Sequence, residues 1–219
     1  MALAVFDLDN TLLAGDSDHA WGEFLISKNL VEEAAHRAKN DWFYTEYQAG
    51  RLDIKEYVRF TLQPVLDMPL TQLAELHQEF MAAFIYPMLL PKAKALVKQH
   101  KQSGDYCLIM SATNIFITRP IGEIFAVDEI LATDLEINNG YYTGEIEGVP
   151  CFQEGKLIRL QNWPGLMNER FKLEQCSFYS DSCNDLPLLK AVSNPVAVDP
   201  DPQLREVAEN SAWKITSLR

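Results

Sequence analysis

The chain has 219 residues, of which 47% are hydrophobic, and this is enough for one full core with room for a smaller second domain. Its 19 lysines and arginines stand against 31 aspartates and glutamates, which gives a formal charge of -12. This acidic balance argues against nucleic acid as a partner, because phosphate backbones require a basic face. A small phosphorylated substrate stays possible, since a metal ion and one or two local cations can override the global charge.

The four cysteines form no CxxC pair, and a chain of this length does not need a disulfide framework. No basic segment precedes an apolar one at the N-terminus, and no apolar run is long enough to span a bilayer. We therefore expect reduced thiols and a soluble, cytoplasmic protein that does not contact membranes, present as a monomer or a homodimer.

An apolar run, LAVFDL, opens the chain and indicates a short buried strand of a parallel sheet. Asp7 closes this run, and Asp9 follows two residues later. Acids at the end of a strand either cap a turn or take part in chemistry. The rest of the chain decides between these two interpretations.

The next segment has a helical pattern. From about residue 16 to residue 83, apolar residues recur at three- and four-residue steps, and strand-like runs are nearly absent. Gly50, Pro64 and Pro69 separate the helical stretches. We predict an all-helical cap over residues 14–86, inserted into a core formed by residues 1–13 and 87–219. A cap that leaves from the end of the first strand would cover any site located there.

After Pro87, helix and strand patterns alternate. Three stretches predict strands: YCLIMSA, CSFYSD and PVAVD. EILATDLEI predicts one more strand, and YYTGEIEGV follows it after a hairpin turn at Asn138-Asn139-Gly140. The segments between the strands are helical, among them PKAKALVKQHKQSG and NIFITRPIGEIF, where Pro120 marks a kink or a break. This order predicts an α/β fold with a Rossmann-like parallel sheet core and helices on both faces.

Polar residues cluster at the ends of the predicted strands. Ligands of open parallel sheets bind beyond the carboxyl ends of the strands, so these residues are expected to converge. They are Asp7, Asp9, Thr11, Ser111, Asp181, Asn184 and Asp185, together with Lys156 at the start of a helix.

Carboxylates packed together repel one another unless a cation lies among them. Mg²⁺ prefers oxygen ligands of this kind and keeps positions open for water and phosphate. No histidines or cysteines have the spacing of a zinc site, and His36, His77 and His100 lie in polar helical stretches and are expected at the surface. The pattern therefore predicts Mg²⁺, with Ser111 and Lys156 available to hold a phosphoryl group.

This constellation resembles the haloacid dehalogenase (HAD) superfamily of phosphohydrolases. The matching segments are DLDNT at residues 7–11, Ser111, Lys156 and DSCND at residues 181–185, and they occur in order along the whole chain. Many relatives have glycine before the aspartate of the fourth motif, whereas this chain has Ser180. The difference is expected to affect the shape of the loop rather than the chemistry.

The resemblance implies a role for each motif residue. Asp7 would be the nucleophile that becomes an aspartyl phosphate, and Asp9 the general acid/base, whose backbone carbonyl also binds Mg²⁺. Ser111 and Lys156 would hold the phosphate. The implied metal-site residues are Asp7, Asp9, Asp181 and Asp185.

The helical insert resembles the phosphoserine-phosphatase-like branch of the superfamily. FDLDNTLLAGDSDHAWGEFL and YSDSCNDLPLL resemble a bacterial group labelled histidinol-phosphatase. The implied substrate is a small amine-bearing phosphomonoester, L-histidinol phosphate first, with phosphoserine or another small metabolite as the alternative. The substrate-binding residues implied are Asp16, Arg59, Ser111, Ala112, Lys156 and Asn184.

Several alternatives stay open at the level of sequence. Asp16 fits a helix N-cap as well as a partner for a substrate ammonium, and Arg59 fits an exposed helix face as well as a carboxylate clamp. The aromatic residues of the insert fit its core, although one or two of them could stack on an imidazole; they are Trp21, Trp42, Phe43 and Tyr47. A phosphorylation switch without turnover and a non-catalytic binding module are the rival functions.

Overall fold

The computed structural model describes residues 1–219 and contains a six-stranded parallel sheet. Its strands are β1 (Leu3–Phe6), β2 (Tyr106–Asn114), β3 (Glu129–Thr133), β6 (Cys176–Ser180), β7 (Asn194–Val198) and β8 (Lys214–Thr216). The spatial order is β3-β2-β1-β6-β7-β8, so the N-terminal strand lies in the middle of the sheet. Strands β4 (Leu135–Asn138) and β5 (Tyr141–Ile146) form a separate antiparallel hairpin.

Helices cover both faces of the sheet. In the core they are α6 (Pro91–Gln102), α7 (Ile115–Ile124), α8 (Glu154–Gln161), α9 (Pro164–Met167), α10 (Leu186–Leu189) and α11 (Pro202–Asn210). Successive residues of β1 point to opposite faces, so Ala4 and Phe6 enter one hydrophobic cluster while Leu3 and Val5 enter the other. The predicted parallel sheet between two helical layers is confirmed.

The insert between β1 and α6 is helical throughout. It comprises α1 (Ser17–Ser27), α2 (Glu33–Gln48), α3 (Ile54–Leu62), α4 (Leu70–Phe80), a π-helical segment (Met81–Ile85) and α5 (Tyr86–Met88). The chain enters and leaves the insert side by side, through an antiparallel bridge between Leu13 and Leu89. Trp21 of α1 packs edge-on against Phe116 of α7, with ring centroids 5.3 Å apart, and joins insert and core. The boundaries at residues 13/14 and 86/87 stay a prediction.

The stretch EILATDLEI forms two strands rather than the single strand predicted. The first part, β3, extends the parallel sheet, and after Asp134 the chain leaves the sheet to form β4 of the hairpin. The turn at Asn139 and Gly140 has positive φ values of 52° and 83°, which explains the asparagine-glycine sequence found there. Helix α7 continues through Pro120 without a break.

The surface position predicted for three histidines was wrong. His36 and His77 are buried at 8% and 3% exposure, because the rings pack against Phe60 and between Trp21 and Phe80. His100 is half-buried and contacts Asp105 and the Tyr179 hydroxyl.

None of the helices combines the length and the apolar character that crossing a bilayer would require.

Candidate active site

The site lies at the carboxyl end of the three central strands. Because β2, β1 and β6 are parallel neighbours, Ser111 in the last part of β2, Asp7 and Asp9 after β1, and Asp181 after β6 meet at one edge of the sheet. The backbone N–H of Asp7 donates to the carbonyl of Tyr179 on β6 at 2.9 Å, so the pairing of β1 with β6 fixes the backbone position of Asp7. The predicted convergence of strand ends is what the topology produces.

Asp7 is held by a buried ammonium. Lys156 Nζ lies 2.8 Å from Oδ1 of Asp7 and 2.7 Å from Oδ2 of Asp185, and the three side chains are 3–5% exposed. Lys156 lies in the first turn of α8, where Gly155 allows a close approach, since a Cβ there would come 2.0 Å from the Pro150 carbonyl oxygen. Although burial alone would lower the pKa of Lys156, Asp185 and Asp7 raise it, so the group stays charged.

Asp9 is held from both sides. Its Oδ1 accepts from the backbone N–H of Ser17 at 2.6 Å, and its Oδ2 accepts from Thr113 at 2.9 Å and from Ser111 at 3.3 Å. The sequence reasoning missed Thr113, although residues two apart on a strand share a face, so Ser111 already pointed to it. These donors orient the second carboxylate of the DxD motif relative to the first.

Thr11 connects two strand ends. Its hydroxyl accepts from the backbone N–H of Asp181 at 3.0 Å and lies 3.0 Å from Oδ1 of Asp181 and 3.4 Å from Oδ2 of Asp7. A hydroxyl has a single proton, so it donates to one of these carboxylates at a time. Through these contacts Thr11 supports the loops that follow β1 and β6.

Burial and mutual repulsion change how these acids titrate. Desolvation, opposed by Lys156, raises the pKa of Asp7 to about 7. Desolvation and the charge of Asp16 raise the pKa of Asp9 to about 6. Desolvation and the neighbouring Asp7 raise the pKa of Asp181 as well. The chain provides one buried cation, Lys156, for this group of carboxylates, and the negative charge is therefore undercompensated.

The donor set suits a hard divalent cation. The carboxylates of Asp7 and Asp181 share Thr11 as a neighbour, and the backbone carbonyl of Asp9 accepts no hydrogen bond from the chain. No three histidine, cysteine, aspartate or glutamate side chains are arranged to hold a metal by themselves. Two carboxylates and a carbonyl fit Mg²⁺, which usually keeps several water or phosphate ligands.

A small cavity of about 30 Å³ lies between the acids and the helical insert. Its lining combines four aspartates with aromatic and aliphatic side chains, and no lysine, arginine or histidine lines it. The lining residues are Asp7, Asp9, Asp16, Asp18, Phe43, Tyr44, Tyr47, Leu52, Ile54, Tyr57, Ser111, Ala112 and Thr113. The sequence alone assigned no binding role to Asp18, Tyr44 or Tyr57, because helix periodicity does not say which face of the insert covers the site.

The helix-cap interpretation of Asp16 is confirmed, and its ammonium role stays a prediction. It is the N-cap of α1, and its Oδ1 accepts from the backbone N–H groups of Asp18 and His19 at 3.0 and 2.8 Å. The same side chain lines the cavity. Ala112 lines it too, as expected for a residue that follows Ser111.

Two of the predicted substrate-binding residues lie elsewhere. Arg59 is 54% exposed and forms a bidentate pair with Glu145 of the hairpin at 2.8 Å, so it does not line the cavity. The amide of Asn184 donates to the Tyr47 carbonyl at 3.0 Å and accepts from Gln153 at 3.1 Å, so both its polar atoms are engaged. Asn184 therefore ties the insert to the core.

Asp185 contacts the buried lysine. Its Oδ2 accepts from Lys156 and from the Ser180 hydroxyl, each at 2.7 Å, and its place in a metal site stays a prediction. Ser180 occupies the position at which glycine was the expected residue, and its hydroxyl makes contacts that glycine cannot make. It fixes Asp185 and accepts from the backbone N–H of Ser182 at 3.2 Å.

Comparison with known proteins gives the family. The family model for haloacid dehalogenase-like hydrolases matches residues 4–190. The chain is 44% identical over 219 residues to a histidinol-phosphatase of Neisseria meningitidis serogroup C (strain 8013), covering 99% of both chains.

Solved structures agree on the fold. A Bordetella pertussis Tohama I protein of unknown function has a TM-score of 0.91 at 40% identity, with 100% of this chain and 99% of the other covered. A substrate-bound phosphoserine phosphatase has a TM-score of 0.72 at 19% identity, covering 100% and 93%, which shows the fold alone. The chain therefore belongs to the haloacid dehalogenase-like hydrolases and is a phosphatase of that family.

Proposed function

We propose that this phosphatase hydrolyses a small, amine-bearing phosphomonoester by way of an aspartyl phosphate on Asp7, with Mg²⁺ as cofactor and L-histidinol phosphate as substrate. The observation that carries the proposal is the pair of buried carboxylates, Asp7 beside Lys156 and Asp9 beside Ser111 and Thr113, facing a cavity without a basic lining residue. The 44% identical histidinol-phosphatase supports the choice of substrate.

In the first step, Asp7 attacks the phosphorus, and the bond between phosphorus and the ester oxygen breaks. Asp9 gives its proton to the leaving oxygen, so the alcohol departs neutral. A water then attacks the phosphorus and passes its proton to Asp9. The bond between phosphorus and the Asp7 oxygen breaks, so inorganic phosphate leaves and Asp7 is again a carboxylate. A pKa of about 6 lets Asp9 serve as acid and base near neutral pH.

The remaining side chains hold the phosphoryl group and its charge. Lys156, already 2.8 Å from Asp7, pairs with a phosphoryl oxygen next to the nucleophile, and the Ser111 hydroxyl can turn from Asp9 to another. Asp7, Asp181 and the Asp9 carbonyl would hold Mg²⁺. When bound, the metal ion offsets negative charge between nucleophile and phosphate, which would otherwise repel each other.

The insert acts as a lid over this chemistry. Gln153 donates to the Gly50 carbonyl at 3.2 Å, and Asn184 donates to the Tyr47 carbonyl, so two hydrogen bonds tie the insert to core loops beside the site. Closing excludes bulk water during the first step, and opening releases the alcohol and admits water.

Phosphoserine is the second candidate, because structural neighbours of this fold are phosphoserine phosphatases. A phosphoserine carboxylate would enter a cavity lined by four aspartates and no cation, while Arg59 is engaged with Glu145. Both substrates carry the amine, so the carboxylate of phosphoserine is the group that distinguishes them. The acidic lining of the cavity disfavours binding of that carboxylate.

The test is phosphate release from L-histidinol phosphate and L-phosphoserine, compared by kcat/KM with and without Mg²⁺. We expect Mg²⁺-dependent turnover that prefers histidinol phosphate, and none above background for Asp7→Asn. Asp41→Asn, an exposed acid of the insert, is the matched control and should behave as the wild type.

A preference for phosphoserine would overturn the substrate. Full activity of Asp7→Asn would overturn the mechanism.

A further inference from the structure

Asp18 is a buried acid without a partner. It lies in the first turn of α1 and is 4% exposed, and its carboxylate makes no hydrogen bond within the chain. It also lines the same cavity as Asp7. A buried carboxylate that lacks a donor is costly, so the fold gains nothing from this group as it stands.

The other acids of the cavity differ from Asp18 in this respect. Asp7 accepts from Lys156, Asp9 from Ser17 and Thr113, and Asp16 from backbone N–H groups of α1. Their positions are explained by the chain itself. Asp18 is the one whose donor has to come from outside.

Tyr57 provides a second free polar group in the same cavity. Tyr57 is 9% exposed, lines this cavity together with Asp18, and its hydroxyl makes no hydrogen bond within the chain. Burial raises the pKa of Tyr57, and among its charged neighbours Asp18 adds most to this rise. Phe43 completes the wall, with its ring centroid 5.0 Å from that of Tyr57.

We propose that Asp18 and Tyr57, walled by Phe43, form a subsite for a planar N–H heterocycle of the imidazole type on the substrate. The proposal rests on the proposed function and says which residues select its substrate. A ring N–H donates to Asp18, the Tyr57 hydroxyl bonds the same end of the ligand, and the ring lies against aromatic faces. Asp16, nearer the start of the helix, is then left for the ammonium.

The test measures binding rather than turnover. L-Histidinol is titrated by calorimetry into wild type, Asp18→Asn, Tyr57→Phe and the exposed control Asp41→Asn. L-Phenylalaninol is the matched ligand, because it keeps the amino alcohol and replaces imidazole with a ring that has no N–H. Each titration is repeated with both ligands.

We expect Asp18→Asn to weaken histidinol binding at least tenfold, Tyr57→Phe to weaken it about threefold or more, and Asp41→Asn to have no effect. Phenylalaninol should bind the wild type more weakly and be insensitive to Asp18→Asn. The melting temperature of Asp18→Asn should stay the same or rise, because the substitution removes a buried carboxylate without a partner. A structural role for Asp18 would lower it.

Three results would overturn the subsite. They are histidinol binding to Asp18→Asn within twofold of wild type, equal losses for phenylalaninol, and a wild type that does not bind histidinol. Binding through Asp18 without hydrolysis of histidinol phosphate would leave the subsite standing and refute the proposed reaction. Hydrolysis of histidinol phosphate by the wild type, together with unchanged histidinol binding in Asp18→Asn, would refute the subsite alone.

Discussion

Thr113→Val tests whether the Thr113 hydroxyl controls Asp9, the proposed general acid/base. Thr113 is 6% exposed and donates to Oδ2 of Asp9 at 2.9 Å. Valine has nearly the same shape, so the change removes the donor without leaving a cavity. Once Ser111 turns to the phosphate, Thr113 is the side chain that still fixes this oxygen.

The size of the effect follows from the kind of bond. A hydrogen bond to a charged group contributes about 1.5–3 kcal/mol, which corresponds to roughly 10- to 150-fold in kcat/KM if it is fully expressed in the transition state. The Thr113 bond also lowers the pKa of Asp9, so its loss moves that pKa above about 6. The limb of the pH profile that reports Asp9 should therefore move to higher pH.

The assay is kcat/KM measured from about pH 5 to about pH 9 for wild type, Thr113→Val and Thr113→Ser. Serine keeps the hydroxyl and should restore activity and the pH profile. A valine variant within twofold of wild type at every pH, or a serine variant as impaired as valine, would refute the reasoning.

Three further predictions follow from the same contacts. Burial raises the pKa of Asp7 to about 7. Between about pH 4 and about pH 7 the metal-free folded protein therefore keeps a proton on Asp7 that the unfolded chain has lost, so the free energy of unfolding should fall as the pH rises through this range. At about pH 8, Mg²⁺ at a hundred times its Kd should raise the free energy of unfolding by about 2.7 kcal/mol, or the melting temperature by roughly 5–10 °C. The same Mg²⁺ concentration should stabilise less at about pH 5.5, because protons compete with the metal ion for the carboxylates, and an equal gain at both pH values would contradict this. Ser180→Ala removes a 2.7 Å bond to buried Asp185 and should lower the melting temperature by roughly 3–12 °C in calorimetry, whereas Ser177→Ala on the same strand should not. Arg59→Ala should leave kcat/KM for histidinol phosphate within twofold, since Arg59 pairs with Glu145 outside the cavity, and a tenfold rise in KM would restore its role as a clamp.

Local pattern was sufficient for the elements and for the order of the motifs. The apolar run of residues 3–6, the alternation after Pro87 and the asparagine-glycine turn each depend on neighbours in sequence, and all three are found in the structure. The split of EILATDLEI was not visible, because both halves have strand character and only the sheet decides which half pairs with β2.

The buried histidines show the same limit. His77 lies in a polar stretch of sequence, yet the insert folds its ring between Trp21 and Phe80 and lowers its pKa to about 4 by burial. Polarity along a helix predicts a surface only when the partner of each face is known.

The sequence by itself determined which residues meet at the site: Asp7, Asp9, Ser111, Lys156 and Asp181 can be identified from residue type, spacing and strand ends, because parallel strands bring their carboxyl ends together. Tertiary structure alone decided which further side chains line the cavity. It turned Arg59 outwards to Glu145, engaged Asn184 with the insert, and left Asp18 without a donor in the cavity. These outcomes depend on contacts between residues far apart in the chain, and the spacing of residues along one segment carries no information about them.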